Sequence, residues 1–207
     1  MPRAPTTTAR KKPRQGRSRE TVEALLEATA RVLVSAGYDR ASTNRIAEAA
    51  GVSVGSLYQY FPGKEALVAA LIERHSGEVR ALVLERMSEV ACAPIEEAVR
   101  TVVQAVFDAH LIDPRLHRLL HEQVPRVGRL GRLLDDMRAL EEVLALFLEA
   151  RRDELAPRDL RAAARVIVEA TEATVHGAAL REAPGPGPEA ILDALVEMLV
   201  CYLKPPR

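Results

Sequence analysis

Residues 42–65 read STNRIAEAAGVSVGSLYQYFPGKE, and this stretch predicts two short helices joined by a tight turn. Ser42 and Ser53 are of a residue type favoured at helix N-caps, and each precedes an apolar stripe of helical spacing. Gly51 ends the first helix, and Pro62 ends the second because the residue before a proline resists helical geometry. Two short helices joined by a turn that contains glycine form a helix-turn-helix.

The second of these helices has an inner and an outer face. Leu57 and Phe61 are four residues apart and occupy the inward direction, so Tyr58 and Tyr60 cannot both point into the core. The side chains of the outer face carry little negative charge and are of moderate size, as a helix that enters the major groove of DNA requires. The alternative is that the two tyrosines fill the core.

The segment from about Ser18 to Leu71 resembles the DNA-binding domain of the TetR (tetracycline repressor) family of bacterial transcription regulators. The resemblance rests on residues at fixed spacing, namely Gly37-Tyr38, Ser42-Thr43, Ile46-Ala47, Ala50-Gly51-Val52-Ser53, Gly55-Ser56-Leu57-Tyr58, Tyr60-Phe61 and Lys64-Glu65-Ala66-Leu67. It covers about a quarter of the chain. The rest of the chain is similar to the family in length, helicity and helix number.

The resemblance implies which side chains contact DNA. These are Ser42, Thr43, Asn44, Ser53, Val54, Gly55, Ser56, Tyr58, Tyr60 and Lys64. The residues themselves add three further candidates: Arg17 from the basic N-terminal segment, Arg45, whose charge a nearby phosphate would compensate, and Gln59 on the outer face of the second helix. Two positions depart from the family, which often has an acid where this chain has Arg45 and a lysine where it has Val54. The base sequence of the operator is therefore not carried over.

Charge and composition divide the chain into three parts. Residues 1–20 carry a net charge of +6 and the remainder −6, which indicates that one end meets a polyanion; the alternative is a solvated tail that binds nothing. We predict a disordered basic tail over residues 1–16, a helix-turn-helix domain over 17–65, and an effector-binding and dimerisation domain over 66–207.

Strand-like alternation is almost absent, so the predicted fold class is all-α, with about nine helices. Three of them precede residue 62. The others run from Lys64 to about Val90, Pro94 to Ile112, Pro114 to Val124, Leu130 to about Glu154, Pro157 to about Arg181, and about Glu189 to Leu203.

The last two helices are apolar on more than one side, whereas a helix with one face exposed to water has a single apolar stripe. They pack either within the monomer alone or also on a second chain, in a four-helix interface. For the homodimer we predict interface contacts from Ala173, Gly177, Leu180, Ile191, Leu195, Met198, Leu199 and Tyr202.

The resemblance also implies an effector pocket within the C-terminal helices. The candidate lining combines aromatic side chains with polar ones that lie on apolar helices: Phe107, His110, His121, Phe147, Arg165, Glu169, Glu172 and His176. Glu169, Glu172 and His176 share one stripe of a helix and could anchor a polar group of a ligand. The alternative is that they are paired, solvated or in the dimer interface.

His117 and His121 are four residues apart, with Glu122 adjacent, and could share a metal ion. A zinc site needs three or four ligands, and no short-range motif supplies the others. We therefore predict no metal and no cofactor, with the two histidines on the surface of an amphipathic helix.

Three functions are compatible with these features. The first is a homodimeric repressor that binds a palindromic double-stranded operator and is released by an unknown small molecule. The second is a DNA-binding dimer without an effector. The third is a small helical enzyme whose catalytic groups would be His117, His121, Glu169, Glu172 and His176. No nucleophile elbow or phosphate loop supports the third, so we predict no enzymatic activity.

The composition restricts the compartment. The chain of 207 residues has two cysteines, too few for a disulfide framework, which fits a reducing cytosol. No apolar run reaches the length of a membrane span, and no apolar stretch follows the basic N-terminus as in a secretory signal. We predict a cytoplasmic protein without membrane contacts.

Overall fold

A computed structural model describes residues 16–111, 113–123, 127–128, 130–180 and 185–204, with side chains from residue 18 onward except those of 130–134 and 179–180. The predicted disordered tail lies outside these residues apart from Gly16. Within them, every regular element is helical, as the sequence predicts. None of the described helices is both long and apolar enough to cross a membrane.

The nine α-helices of the described residues follow one another along the chain. They are α1 (Gly16–Arg40), α2 (Thr43–Ala49), α3 (Val54–Tyr60), α4 (Lys64–Glu89), α5 (Ile95–Leu111), α6 (Pro114–Gln123), α7 (Leu130–Glu149), α8 (Leu160–Leu180) and α9 (Pro188–Leu203). A short 3-10 helix, Arg152–Glu154, follows α7.

Three helix ends differ from the sequence prediction by more than one residue. Gly37 was predicted to end α1. Its φ of 74° instead introduces a kink, and the helix continues beyond it to Arg40. Helix α7 ends at Glu149, and Arg152–Glu154 form the separate 3-10 helix. Helix α8 begins at Leu160 rather than Pro157, because the Asp159 carboxylate accepts hydrogen bonds from the backbone N–H groups of the first turn.

The described residues form two compact units. The first comprises those up to Ser76 together with those within Arg115–Gly131, and the second comprises those within Gly77–Pro114 and those from Arg132 onward. Helix α4 contributes to both units, and α6 belongs almost wholly to the first. The predicted domain boundary after residue 65 lies earlier in the chain than the boundary between the two units, which falls within α4 after Ser76.

In the first unit, α1 packs on α2 and α2 packs on α3. Its core is made of the inward residues of these helices and of the first turns of α4: Leu25, Leu33, Ile46, Ala47, Leu57, Phe61, Leu67 and Leu71. These are the apolar stripe residues of the helix-turn-helix pattern and its flanks. Their burial leaves the opposite sides of α2 and α3 exposed.

In the second unit, α5, α8 and α9 pack against one another. Arg100 of α5 also pairs with Asp193 of α9 across 2.9 Å, and Lys204 pairs with Glu96. The core consists mainly of aliphatic side chains, including Val83, Val103, Leu148, Ala163, Ala164, Val175, Leu192, Leu195, Leu199 and Leu203.

Candidate nucleic-acid interface and interior cavity

Two serines begin the short helices of the helix-turn-helix, as predicted. Ser42 is extended, and its hydroxyl accepts the backbone N–H of Arg45 at 3.4 Å. Ser53 accepts the backbone N–H of Ser56 at 3.1 Å, and the two serine hydroxyls lie 2.8 Å apart. These bonds satisfy backbone donors that the first turn of a helix leaves unpaired.

The turn between the helices depends on Gly51. Its φ of 68° lies in the left-handed region, where residues with a Cβ are strained. The backbone N–H of Gly51 bonds to Glu48, and that of Val52 bonds to Ala47, at 3.0 Å each. This turn sets the direction in which α3 leaves α2.

Helix α3 has the two faces that the sequence predicts. Leu57 and Phe61 are 0% and 1% exposed, which confirms their inward position. Tyr58 is 41% exposed, whereas Tyr60 is half-buried. Of the remaining candidate DNA contacts, Ser53, Gly55 and Gln59 are exposed, and Val54 and Ser56 are half-buried.

A hydrogen bond joins the outer faces of α2 and α3. Thr43 Oγ1 and Tyr58 Oη lie 3.2 Å apart, so two predicted DNA contacts hold each other in place. Asn44 is exposed nearby on α2. The exposed Arg45 donates to the carbonyl oxygen of Arg40 at 3.3 Å, which places its guanidinium at the end of α1.

Lys64 and Arg17 complete the predicted set. The Lys64 ammonium donates to the carbonyl oxygen of Tyr38 at 2.8 Å and lies 4.1 Å from the centre of the Tyr38 ring. This half-buried lysine therefore joins α4 to the end of α1. The side chain of Arg17 lies outside the described part of the chain.

The second unit contains a partly open cavity of about 90 Å³. Its wall is almost entirely aliphatic and is contributed by α4, α5, α7, α8 and α9: Val83, Met87, Ile95, Ala98, Val99, Val102, Val103, Val106, Leu140, Leu144, Phe147, Leu148, Ile167, Val168, Leu199 and Leu203. Thr171 and Glu172 of α8 are its polar lining residues. The cavity thus combines an apolar wall with one carboxylate.

The predicted effector residues do not all line this cavity. Phe147 and Glu172 do, and Phe107 is buried in the adjoining core. His121 is exposed in the first unit. The predicted anchor Glu169 forms an ion pair of 2.8 Å with the candidate lining residue Arg165 on the exposed side of α8 instead.

His110 and His176, two further effector candidates, form a group with Glu172. His176 Nε2 lies 3.1 Å from Glu172 Oε2, and the ring centres of the two histidines are 5.4 Å apart. The Nδ1 of His110 lies 2.7 Å from the backbone oxygen of Val106. Burial lowers the pKa of His110, and the nearby Glu172 carboxylate only partly opposes this shift.

The two histidines that the sequence analysis considered as a metal-binding pair differ in burial. His117 is buried and His121 is exposed, with ring centres 6.4 Å apart. His117 Nδ1 lies 3.2 Å from Nε2 of His75, also in the first unit. His117 therefore does not lie on the surface as predicted, because it packs against His75.

The residues predicted to form dimer contacts in α8 and α9 differ in exposure: some are buried and others lie on the surface. Leu195 and Leu199 are 4% and 2% exposed, so they pack inside their own unit and present no surface to a second chain. Met198 and Tyr202 are exposed. Ala173 is exposed, Gly177 and Ile191 are half-buried, and the side chain of Leu180 lies outside the described residues.

Sequence reasoning missed most of the cavity wall. Residues such as Val102, Val103 and Leu144 lie on ordinary apolar stripes, and nothing in their spacing separates a cavity wall from a packed core. Thr171 could have been noticed, because it is a polar residue on the apolar side of α8.

Two family models match the chain. Residues 25–71 match the model described as bacterial regulatory proteins, tetR family. Residues 94–203 match the model described as the C-terminal domain of tetracyclin repressor-like proteins. The second match alone covers more than half of the chain.

Individual relatives are similar over shorter stretches. The nucleoid occlusion factor SlmA of Haemophilus ducreyi is 55% identical over 38 residues, which are 18% of this chain and 19% of that protein. The HTH-type transcriptional activator FasR of Mycolicibacterium smegmatis is 34% identical over 98 residues, or 47% of this chain and 44% of that protein. These alignments thus span less than half of either relative.

A solved structure is similar over most of its length. A TetR-family transcriptional regulator from Streptomyces coelicolor is 28% identical with a TM-score of 0.63, over 88% of this chain and 96% of that one.

Proposed function

Because this chain belongs to the TetR family of bacterial regulatory proteins, we propose that it is a homodimeric, sequence-specific DNA-binding regulator. In this proposal it represses transcription from a palindromic operator and is released by a small-molecule effector. It acts in the cytoplasm and catalyses no reaction. The operator contacts come from the outer faces of α2 and α3.

The chemistry of α3 supports a role in the major groove. The helix carries no acidic side chain, and Tyr58, Gln59 and Gly55 are exposed. Hydroxyl and amide groups of this kind hydrogen-bond to phosphates and base edges. The Thr43–Tyr58 hydrogen bond and the Ser53 cap hold this surface in one arrangement before DNA is present.

Gly55 carries the proposal. A Cβ added at this position would meet only Ser53 Oγ, at 3.9 Å, which is ordinary contact. Nothing described inside the protein therefore requires a glycine here, although glycine costs a helix about 0.5–1 kcal/mol relative to alanine. Contact with DNA would explain the glycine, because a residue without a side chain lets a DNA backbone or base edge approach the helix closely.

Gly55→Ala tests this explanation. We expect the unfolding free energy to stay unchanged or to rise by up to about 1 kcal/mol, while affinity for the operator falls at least tenfold. The measurements are urea denaturation and fluorescence anisotropy with a palindromic duplex selected from a random pool. The matched control is Gly77→Ala in α4, where an added Cβ meets nothing within 4 Å and no DNA contact is proposed.

Unchanged affinity in Gly55→Ala would contradict the assigned surface. A protein that holds its selected duplex no better than random duplex at physiological salt would contradict sequence-specific binding altogether.

The exposed apolar side chains of α8 and α9 support the proposed dimer. Val166 and Met198 are 52% and 51% exposed, and Tyr202 is 43% exposed. In our proposal these side chains pack against their copies in a second chain and form a four-helix interface. A twofold axis there would present two α3 helices to successive major grooves, about 34 Å apart.

The cavity of the second unit is the proposed effector site. Its aliphatic wall suits an apolar molecule, and Glu172 suits a cationic or hydrogen-bond-donating group on it. An effector that binds the DNA-incompetent arrangement better by 1–3 kcal/mol would weaken operator binding about 5–150-fold. A panel of metabolites tested by thermal shift separates this from a dimer without an effector, since a bound ligand raises apparent stability.

A further inference from the structure

His110 of α5 and the pair of Glu172 and His176 of α8 meet inside the second unit. One possible ligand atom from each of the three residues lies within 4.8 Å of those of the other two. His110 is buried, and the other two are half-buried. The group therefore offers two imidazole nitrogens and one carboxylate oxygen, largely withdrawn from water.

The separations are close to those of a metal site. Ligands at about 2.0–2.1 Å from a tetrahedral zinc ion lie about 3.3–3.4 Å from one another. His176 Nε2 and Glu172 Oε2 are already 3.1 Å apart. The ligand atom of His110 lies within 4.8 Å of the other two, so binding of an ion would draw the three atoms closer together.

The surroundings of His110 also match those of a metal ligand. Its Nδ1 lies 2.7 Å from the backbone oxygen of Val106, four residues earlier on α5. In this contact Nδ1–H donates, so the neutral ring carries its lone pair on Nε2. Histidine ligands of metals commonly have this hydrogen bond to a backbone oxygen, which fixes the tautomer and the ring orientation.

We propose that His110, Glu172 and His176 bind one divalent transition-metal ion per chain, with zinc as a suitable ion. Two histidines and one glutamate form a known three-ligand set for zinc, which leaves one position for water or another molecule. Imidazole ligands favour such ions over Mg²⁺ and Ca²⁺, which prefer oxygen. Because Glu172 also lines the apolar cavity, the site lies at the edge of that cavity. This inference does not depend on DNA binding.

The test uses the untagged full-length chain carrying Cys92→Ser and Cys201→Ser, because both thiols are exposed and could bind zinc themselves. After dialysis against a chelator, zinc is titrated in competition with a chromophoric chelator. We expect one zinc ion per chain, and no displacement by millimolar Mg²⁺.

Two variants locate the ion. Glu172→Gln and His176→Gln each remove one ligand from the half-buried side of the site, and we expect each to weaken zinc binding at least 100-fold. Thermal denaturation without metal shows whether the variants are folded, and zinc should raise the melting temperature of the parent but not of the variants. The control is His121→Gln, an exposed histidine of the first unit.

Several outcomes would overturn the site. These are no zinc binding by the parent, unchanged affinity in both folded variants, or a loss of affinity in His121→Gln that exceeds their own. If a variant fails to fold, the X-ray absorption spectrum of the parent decides, because two histidine nitrogens and one carboxylate oxygen are required around the ion.

Discussion

The two units place their candidate functional residues differently with respect to their cores. In the first unit these residues are polar and lie on the outside of α2 and α3, while Leu57 and Phe61 behind them are buried. In the second unit the cavity wall consists of side chains such as Val103 and Leu148, which also belong to the core. Binding and stability should therefore be separable by mutation in the first unit and coupled in the second.

The strongest test of separability compares two neighbouring aromatic residues. Phe61→Ala removes a side chain that is 1% exposed, and we expect a loss of about 3–5 kcal/mol in unfolding free energy. Tyr58→Ala removes one that is 41% exposed, and we expect a loss below about 1 kcal/mol together with at least tenfold weaker operator binding. Urea denaturation and anisotropy measure the two quantities. A similar stability loss in both variants would show that the outer face is part of the core.

A smaller effect is expected from adding one methylene group to the second unit. Val175 is 0% exposed and does not line the cavity, so Val175→Leu should cost about 1–3 kcal/mol through overpacking. Val103 lines the cavity, so Val103→Leu can place the added group there and should gain up to about 0.8 kcal/mol. Urea denaturation in the absence of ligands checks both. Equal losses would indicate that the cavity cannot accept the added group.

A third prediction concerns the surface of the second unit. Met198→Glu places a charge at an exposed apolar position, and we expect dimer affinity to fall about tenfold, which corresponds to about 1.4 kcal/mol. Sedimentation equilibrium measures the dissociation constant. The matched control is Ala190→Glu, at another exposed position of α9. Equal weakening by both variants would indicate a general effect of charge, and a strictly monomeric parent would contradict the dimer.

Sequence patterns predicted the helix-turn-helix well because its determinants are local. The Ser42 and Ser53 caps are each completed by a backbone group three residues later. The left-handed turn at Gly51 likewise depends on the conformation of one residue. Side-chain partners from distant segments were not predictable in this way, and the position of Lys64 against Tyr38 is an example.

The cavity could not be predicted because its wall is assembled from five helices. An apolar stripe shows which side of a helix points inward, but it does not show whether the neighbouring helices fill the space in front of it. The same limit explains Leu195 and Leu199, which we predicted at a dimer interface and which fill the monomer core. The cluster of His110, Glu172 and His176 was only partly predictable from the sequence. Glu172 and His176 are four residues apart on one helix, whereas His110 comes from α5.

The position of Lys64 has a consequence for how ionic strength would act on the complex with DNA. Each cation that neutralises a phosphate releases condensed counterions and steepens the dependence of affinity on salt. The Lys64 ammonium is held by a carbonyl oxygen and an aromatic ring, which restricts the directions from which its remaining N–H donors can meet a phosphate. The release of counterions from the DNA would therefore be driven mainly by the exposed Arg45 and by the basic N-terminal residues, with a smaller contribution from this lysine.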